Sequence, residues 1–294
     1  MKYALHSVSY GGVWQGQAYL SLEDFIRKAA SLGYDGVEIM AKRPHFSSLD
    51  TDDARLRSIR DLLKNEGLEC ACIAAYTDFI LGADSMVASA ELQIIYIERL
   101  CAMAQAVGAN LIRVFTGYEN KTMPYHKQWL ICVSALRECA KRAAKYGVTI
   151  GIQNHHDIGL HHNSMRDLIA EIGEENCLPM FDAWSPAQTG ADLKEAVFAL
   201  DKIAYTTVAD YIRVQRYNYN PDLVSYTNGA EMLKAVKMGE GFINYKEFFD
   251  ALALKGFDGY TAYEMCSPLR DGGSIEVLDS YAKHFLEYMK GIYK

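Results

Sequence analysis

Residues 21–40 read SLEDFIRKAASLGYDGVEIM. Ser21 and Asp24 offer an N-cap and capping-box pair, and Phe25, Ile26 and Ala29 recur at helical spacing. Gly33 ends the helix, and Val37–Met40 is a short apolar run suited to a buried strand. The same order returns at residues 245–265, YKEFFDALALKGFDGYTAYEM, where Gly256 and Gly259 match Gly33 and Gly36. Glu264 closes that second strand much as Glu38 closes the first. Between the two copies lie RLCAMAQAVGANLIRVF (99–115) and ECAKRAAKYGVTIGIQNHH (138–156). Each is an Ala-rich amphipathic helix, a terminating glycine and a β-branched apolar strand.

Tyr3–Val8, Leu68–Ala74, Leu178–Phe181 and Ile203–Val208 supply further strand candidates. About eight strands separated by helices is the count a closed parallel barrel requires, so the predicted fold is α/β, a single (β/α)8 TIM barrel. A doubly wound open sheet is the alternative, but no GxGxxG follows the first strand. No linker, charge block or shift in composition divides residues 1–294, which are read as one domain. Residues 211–241 are long for one βα connection and are expected to form an active-site loop with its own short helix.

With 294 residues, 50% of them hydrophobic and 23% charged, the chain can bury a large core. Its net charge of −7 argues against a nucleic-acid partner, because phosphate contacts need a basic face. A small anionic substrate stays compatible, since one or two local arginines overcome a diffuse negative background. The seven cysteines include no CxxC pair and read as small buried hydrophobes in a reducing compartment, with Cys266 the exception to watch. The N-terminus lacks a secretory pattern and no apolar stretch approaches the ~18 residues of a membrane span. A cytoplasmic protein without a membrane partner is expected.

In a parallel barrel the polar residues at the C-terminal ends of strands face the pocket. The fifth strand ends in Gln153-Asn154-His155-His156-Asp157 and the sixth in Asp182-Ala183-Trp184-Ser185. The seventh runs through Thr206-Thr207 to Asp210, Arg213 and Arg216, and the eighth ends in Glu264, then Cys266 and Ser267. Polar groups thus gather where an enzyme needs them.

The fragments GYDGVEI, QNH, FDAW, GEGFINY and GFDGYTAYE resemble landmarks of the sugar phosphate isomerase/epimerase, or xylose isomerase-like, superfamily. Members such as tagatose and psicose 3-epimerases hold a divalent metal with Glu, Asp, His and Glu on the fifth to eighth strands. By that resemblance Gln153, Asp182 and Glu264 are the metal positions, for Mn, Zn, Mg or Co, and a homodimer is implied. Gln153 stands where the family has glutamate, and Thr207, opening the pattern that ends at Asp210, stands where it has histidine. Ser185 replaces a substrate-contacting histidine. Two carboxylates and an amide oxygen hold a cation with less charge, unless His155 or His156 adds a nitrogen.

The 3-epimerases pair the two glutamates as acid and base on opposite faces of a carbon beside a carbonyl. Gln153 cannot exchange a proton, so a symmetric two-glutamate epimerisation is disfavoured. Glu264 working with His155 or His156 suits isomerisation, or a dehydratase or lyase reaction, on a sugar or keto-sugar. Glu38, Trp184, Asp210, Arg213 and Arg216 are the candidate substrate contacts, with Lys42, Arg43 and His45 on the same rim. Each has a plainer reading: Asp182 as a turn cap, Trp184 as packing, the two arginines as a solvated loop. His161-His162 reads as loop before a helix capped by Asn163. A catalytically inactive sugar-binding or partner-subunit barrel is the rival reading. An endonuclease IV-type nuclease ranks lower, because the chain is acidic and lacks histidine on the seventh strand.

Overall fold

The Ser21 hydroxyl accepts the Asp24 amide at 3.1 Å and opens α1 (Leu22–Leu32), which Gly33 closes at φ 90°. Gly36 then starts β2 (Gly36–Met40), where a Cβ would stand 2.7 Å from the Glu69 carbonyl oxygen. Gly259 has the same task at the other end of the chain, since a Cβ there would stand 2.8 Å from the Ala204 carbonyl. Both glycines let a strand slide into its neighbour without a side chain between.

The computed structural model describes residues 1–292. In it, β1 (Lys2–His6), β2, β3 (Glu69–Ala74), β4 (Leu111–Val114), β5 (Thr149–Gln153), β6 (Cys177–Met180), β7 (Tyr205–Val208) and β12 (Tyr260–Tyr263) close into one parallel barrel. Closure is made by β1, which pairs with β2 on one side and β12 on the other. The chain is therefore a single (β/α)8 TIM barrel. The first strand stops at His6, and Val8 lies in the 3-10 turn Ser7–Tyr10.

Helices α2 (Asp53–Asn65), α3 (Ser89–Val107), α4 (Tyr125–Ala144), α5 (His162–Ile172), α6 (Trp184–Thr189), α7 (Leu193–Phe198), α8 (Tyr245–Leu254) and α9 (Ile275–Ile292) complete the outer layer with α1. The main core fills the space between helices and strands, and a smaller cluster with Ala4, Cys72, Leu111, Met180 and Tyr205 plugs the barrel floor. The pairing of β2 with β3 shifts register between Val37 and Glu38. Such irregularities re-aim a side chain, here that of Glu38.

Residues 211–241 differ from expectation. They form no helix of their own; β8 (Asp210–Val214) pairs antiparallel with β11 (Met232–Val236), and β9 (Tyr217–Asn220) with β10 (Ser225–Asn228). Ile212, Val214 and the tyrosines at 217, 219 and 226 are strand formers. Asn220 Oδ1 accepts the Asp222 amide at 3.0 Å and turns the chain between the inner pair. At α5 the cap is His161, whose Nδ1 accepts the Asn163 amide, so Asn163 lies inside the helix. No helix among the described residues is long and apolar enough to cross a membrane.

Candidate active site

At the C-terminal mouth of the barrel lies a cavity of about 690 Å3. Its polar wall comes from Lys42 after β2, Arg113 on β4, His155 and His156 after β5, and Glu264 and Cys266 after β12. Its apolar wall comes from Val8 and Val13, Tyr76 and Leu81 after β3, Leu92 on α3, and Phe115 and Tyr118 after β4. A second cavity, of about 680 Å3, opens at the opposite end of the barrel around Lys64, Glu69 and Tyr260, far from the strand-end carboxylates.

A cluster of charged and titratable groups sits beneath the first cavity. Arg113 is 2% exposed, and its Nη1 stands 3.8 Å from Glu38 Oε1. The guanidinium lies over the Phe115 and Tyr76 rings at 4.4 and 4.9 Å, an arrangement that favours a cation with little water. Lys42 Nζ caps the same Tyr76 ring at 3.7 Å. His6 Nδ1 accepts the Val8 amide at 3.1 Å, so the ring proton of neutral His6 is on Nε2. That nitrogen faces Glu38 Oε1 at 3.4 Å and Glu264 Oε2 at 3.9 Å. Burial first, then Arg113, hold His6 well below the ordinary histidine range, which keeps it neutral.

Glu38 is fully buried and does not line the cavity. Burial pushes its carboxyl up to about 8 against the pull of Arg113. A protonated Glu38 at neutral pH leaves the guanidinium charge free to act on Glu264 and on whatever enters the cavity. Arg113 Nε has no hydrogen-bond partner of its own. Glu264 is 15% exposed and lines the cavity; burial raises its carboxyl, while Arg113 and the Cys266 thiol pull it down. The Cys266 sulfur lies 3.5 Å from Glu264 Oε1, and the other six cysteines are buried.

His155 and His156 meet through their Nδ1 atoms at 3.1 Å. The His156 ring stacks between Phe115 and Tyr118, with centroids 4.3 and 4.0 Å away. Burial takes both histidines down to about 4. They are therefore held as neutral imidazoles at physiological pH.

The ends of β5, β6 and β7 are zipped together. Asn154 Oδ1 accepts the Asp182 amide at 2.7 Å, and Asn154 Nδ2 donates to the Asp182 carbonyl at 3.0 Å. The Ser185 hydroxyl donates to the Asn154 carbonyl at 2.7 Å. Asp182 Oδ1 accepts the Thr207 amide at 2.6 Å, and its Oδ2 accepts a short hydrogen bond from the Gln153 amide nitrogen. Burial raises the Asp182 carboxyl to about 7 in spite of these donors.

The family resemblance implies a divalent ion among Gln153, Asp182 and Glu264, and the donors present do not fit one. Both Asp182 oxygens are committed, and Gln153 turns its NH2 group toward them. Thr207 offers a hydroxyl in place of imidazole, and the fixed charge of Arg113 acts on Glu264. Among the described residues no group of three or more His, Cys, Asp or Glu could hold a metal ion. Hard cations take several free oxygens, and softer ones take nitrogen or sulfur.

Other expected contacts lie outside the cavity. Trp184 packs behind His155, at 5.8 Å, and against Tyr211, at 6.0 Å. Asp210 accepts the amides of Tyr211, Gly239 and Gly241 at 2.9 Å each, fastening the base of the β8–β11 arm. A Cβ on Gly241 would fall 1.9 Å from Asp210 Oδ1, so GEGF needs glycine there for close approach. Arg213 pairs with Glu231 at 3.2 Å, and Arg216 is exposed outside the cavity. Arg43 pairs with Asp50 on the surface, and buried His45 bonds the Leu20 carbonyl. Within the cavity the positively charged side chains are those of Arg113 and Lys42.

The family model described as "Xylose isomerase-like TIM barrel" matches residues 26–284. No curated protein sequence matches the chain. Among solved structures, D-psicose 3-epimerase of Clostridium cellulolyticum H10 is similar, with TM-score 0.77, 15% identity and 100% of each chain covered. The probable 3-DHS dehydratase AsbF of Bacillus anthracis superposes with TM-score 0.73, 18% identity and 99% of each chain covered. A D-tagatose 3-epimerase-like protein gives 0.74 at 20% identity, covering 99% of this chain and 98% of its own. At these identities the likeness is one of fold.

Proposed function

The chain belongs to the xylose isomerase-like TIM barrel family, and on that premise we propose that it is a carbohydrate-transforming enzyme that removes a proton beside a carbonyl with one base, Glu264. The observation that carries this reading is the asymmetry of the barrel mouth. Glu264 lines the cavity next to a buried cation, while the position that pairs with it in two-base epimerases is a glutamine tied to Asp182.

The Glu264 carboxylate takes the proton on the carbon beside the carbonyl, and the electron pair moves to the carbonyl oxygen. Arg113, which lines the cavity and has Glu38 as a neutral neighbour, stabilises that developing oxyanion by its charge. The enediolate then collapses in one of two ways. Return of the proton from Glu264 to the former carbonyl carbon, with the neighbouring hydroxyl proton passing to the former carbonyl oxygen, gives an isomer. Loss of the β-hydroxyl, which leaves as water with the proton held by Glu264, gives an α,β-unsaturated ketone. The neutral His155–His156 pair holds the substrate hydroxyl that faces it. No step needs Mn, Zn, Mg or Co. Isomerisation and dehydration are favoured over 3-epimerisation, because Gln153 cannot deliver a proton to the opposite face. An open cavity supports an enzyme over an inactive barrel, whose mouth side chains would fill.

Deuterium wash-in tests the reading. A panel of ketoses and cyclic hydroxy-ketones in D2O should lose the proton signal beside the carbonyl with the wild type and keep it with Glu264→Gln. Equal exchange by both proteins removes Glu264 from the mechanism.

A further inference from the structure

The cavity is larger and more apolar than a bare sugar ring requires. We propose that the substrate carries an aromatic-sized apolar substituent beside its sugar ring, as in an aryl glycoside or glycosyl conjugate of a keto-sugar, and that the β3–α3 connection is the shelf on which it rests. This inference rests on the carbohydrate reading above.

The cavity is divided by chemistry. Arg113, His155 and Glu264 mark its polar end, and Leu81, Leu92 and Tyr118 its far wall. Leu81 and Leu92 are 68% and 59% exposed, which leaves two leucines in water at the mouth of the site. A monosaccharide carries hydroxyls around its rim and would gain nothing there, whereas an apolar group removes that surface from water. The rings of Phe115, Tyr118 and Tyr76 line the same space and give an aromatic substituent faces to stack on.

The shelf is built rather than loose. Asp78 Oδ1 accepts the amides of Ile80 and Leu81 at 3.1 Å, and the Asp78 amide donates to Gln93 Oε1 on α3 at 2.7 Å. The Ser89 hydroxyl donates to the Leu81 carbonyl at 2.6 Å, and the Phe79 amide to the Thr116 carbonyl at 2.9 Å. With these backbone groups satisfied inside the segment, Leu81 and Leu92 are held over the cavity before a ligand arrives, so less ordering is lost on binding. The occupant is a part of the substrate, because the shelf and Glu264 belong to one continuous cavity.

Calorimetric titration of the wild type with matched phenyl and methyl β-glycosides of glucose, galactose and xylose tests this. In at least one pair the phenyl glycoside should bind about tenfold more tightly, ~1.4 kcal/mol. In Leu81→Ser/Leu92→Ser that ratio should fall toward one, with far-UV circular dichroism confirming an unchanged fold. Equal affinities within every pair that binds overturn the inference and leave the carbohydrate reading standing, as does a ratio that survives the double substitution. If no glycoside of either kind binds, the inference is overturned, and the carbohydrate reading is decided separately by the ketose exchange assay. A wild type that self-associates in sedimentation equilibrium, while the double variant is monomeric, assigns the leucines to a second copy of the chain and overturns the inference.

Discussion

The two halves of the barrel mouth are built from similar residues and do opposite things. On the β5–β7 side Asn154, Asp182 and Ser185 spend their polar atoms on one another, on the Gln153 amide nitrogen and on strand-end backbone, while Gln153 Oε1 and the threonine hydroxyls of β7 are left without a partner among the described residues. On the β1–β4 and β12 side His6, Glu38, Arg113 and Glu264 approach within 3.4–3.9 Å in successive pairs but leave donors and acceptors unused. A satisfied network rigidifies a fold, whereas an unsatisfied buried cluster stores the capacity to bind charge. On the proposed reading the working groups lie on the open half, and Glu264 is the one family position among them.

The largest effect should come from the open half. Glu264→Gln should lower deuterium wash-in by about 10^3-fold, within the range general-base removal gives, with the melting temperature unchanged. A loss under tenfold would mean that another group takes the proton. In the zipped half the damage should be to stability. Asn154→Ala strands the Asp182 amide and carbonyl and should cost about 2 kcal/mol, read as a melting point lower by roughly 5 °C. Unchanged stability would mean that the network is slack, and the contrast between the halves would lose its basis.

Glu38 separates the halves by pH. Folded Glu38 keeps its proton to about 8, while an ordinary glutamate releases it near 4.5. The folded state therefore binds more protons between those values, and this group's contribution to stability is present in full below 4.5 and lost as pH rises through 8. Glu38→Gln, which mimics the protonated form, should flatten the decline in melting temperature between pH 5 and 8.5, a difference of roughly 4 kcal/mol. Parallel curves for variant and wild type would place the charge elsewhere. The smallest effect concerns metal. Chelator treatment followed by Mn or Zn addition should move the melting temperature by no more than about 1 °C, because a ligand stabilises only the state that binds it. A larger rise that Asp182→Ala abolishes would restore the β5–β7 half as a metal site.

Much of this was legible in the sequence. Helix, glycine and β-branched strand recur often enough to specify the barrel, and strand-end polarity picks out Gln153, Asp182, Glu264 and His155-His156. Arg113 escaped notice because LIRVF reads as one apolar strand with a single polar interruption. A signal was present: both faces of a parallel barrel strand are covered, so a charge in its middle must point into the barrel or stay paired. His6 escaped in the same way. The role of Asp210 depends on Gly239 and Gly241 returning to it across the whole β8–β11 arm, a contact that local sequence does not encode. The length of the arm suggests a loop with a short helix, whereas its tyrosines and β-branched residues favour strands.

In the proposed reaction the working charge sits on Arg113 and not at Asp182. Arg113→Met and Asp182→Asn, each checked for fold by circular dichroism and compared in the same deuterium wash-in assay, separate the two. Arg113→Met should lose exchange by about 10^2-fold, the scale of one removed oxyanion donor, while Asp182→Asn should stay within a few-fold of wild type. Loss of exchange in Asp182→Asn with retention in Arg113→Met would contradict that assignment.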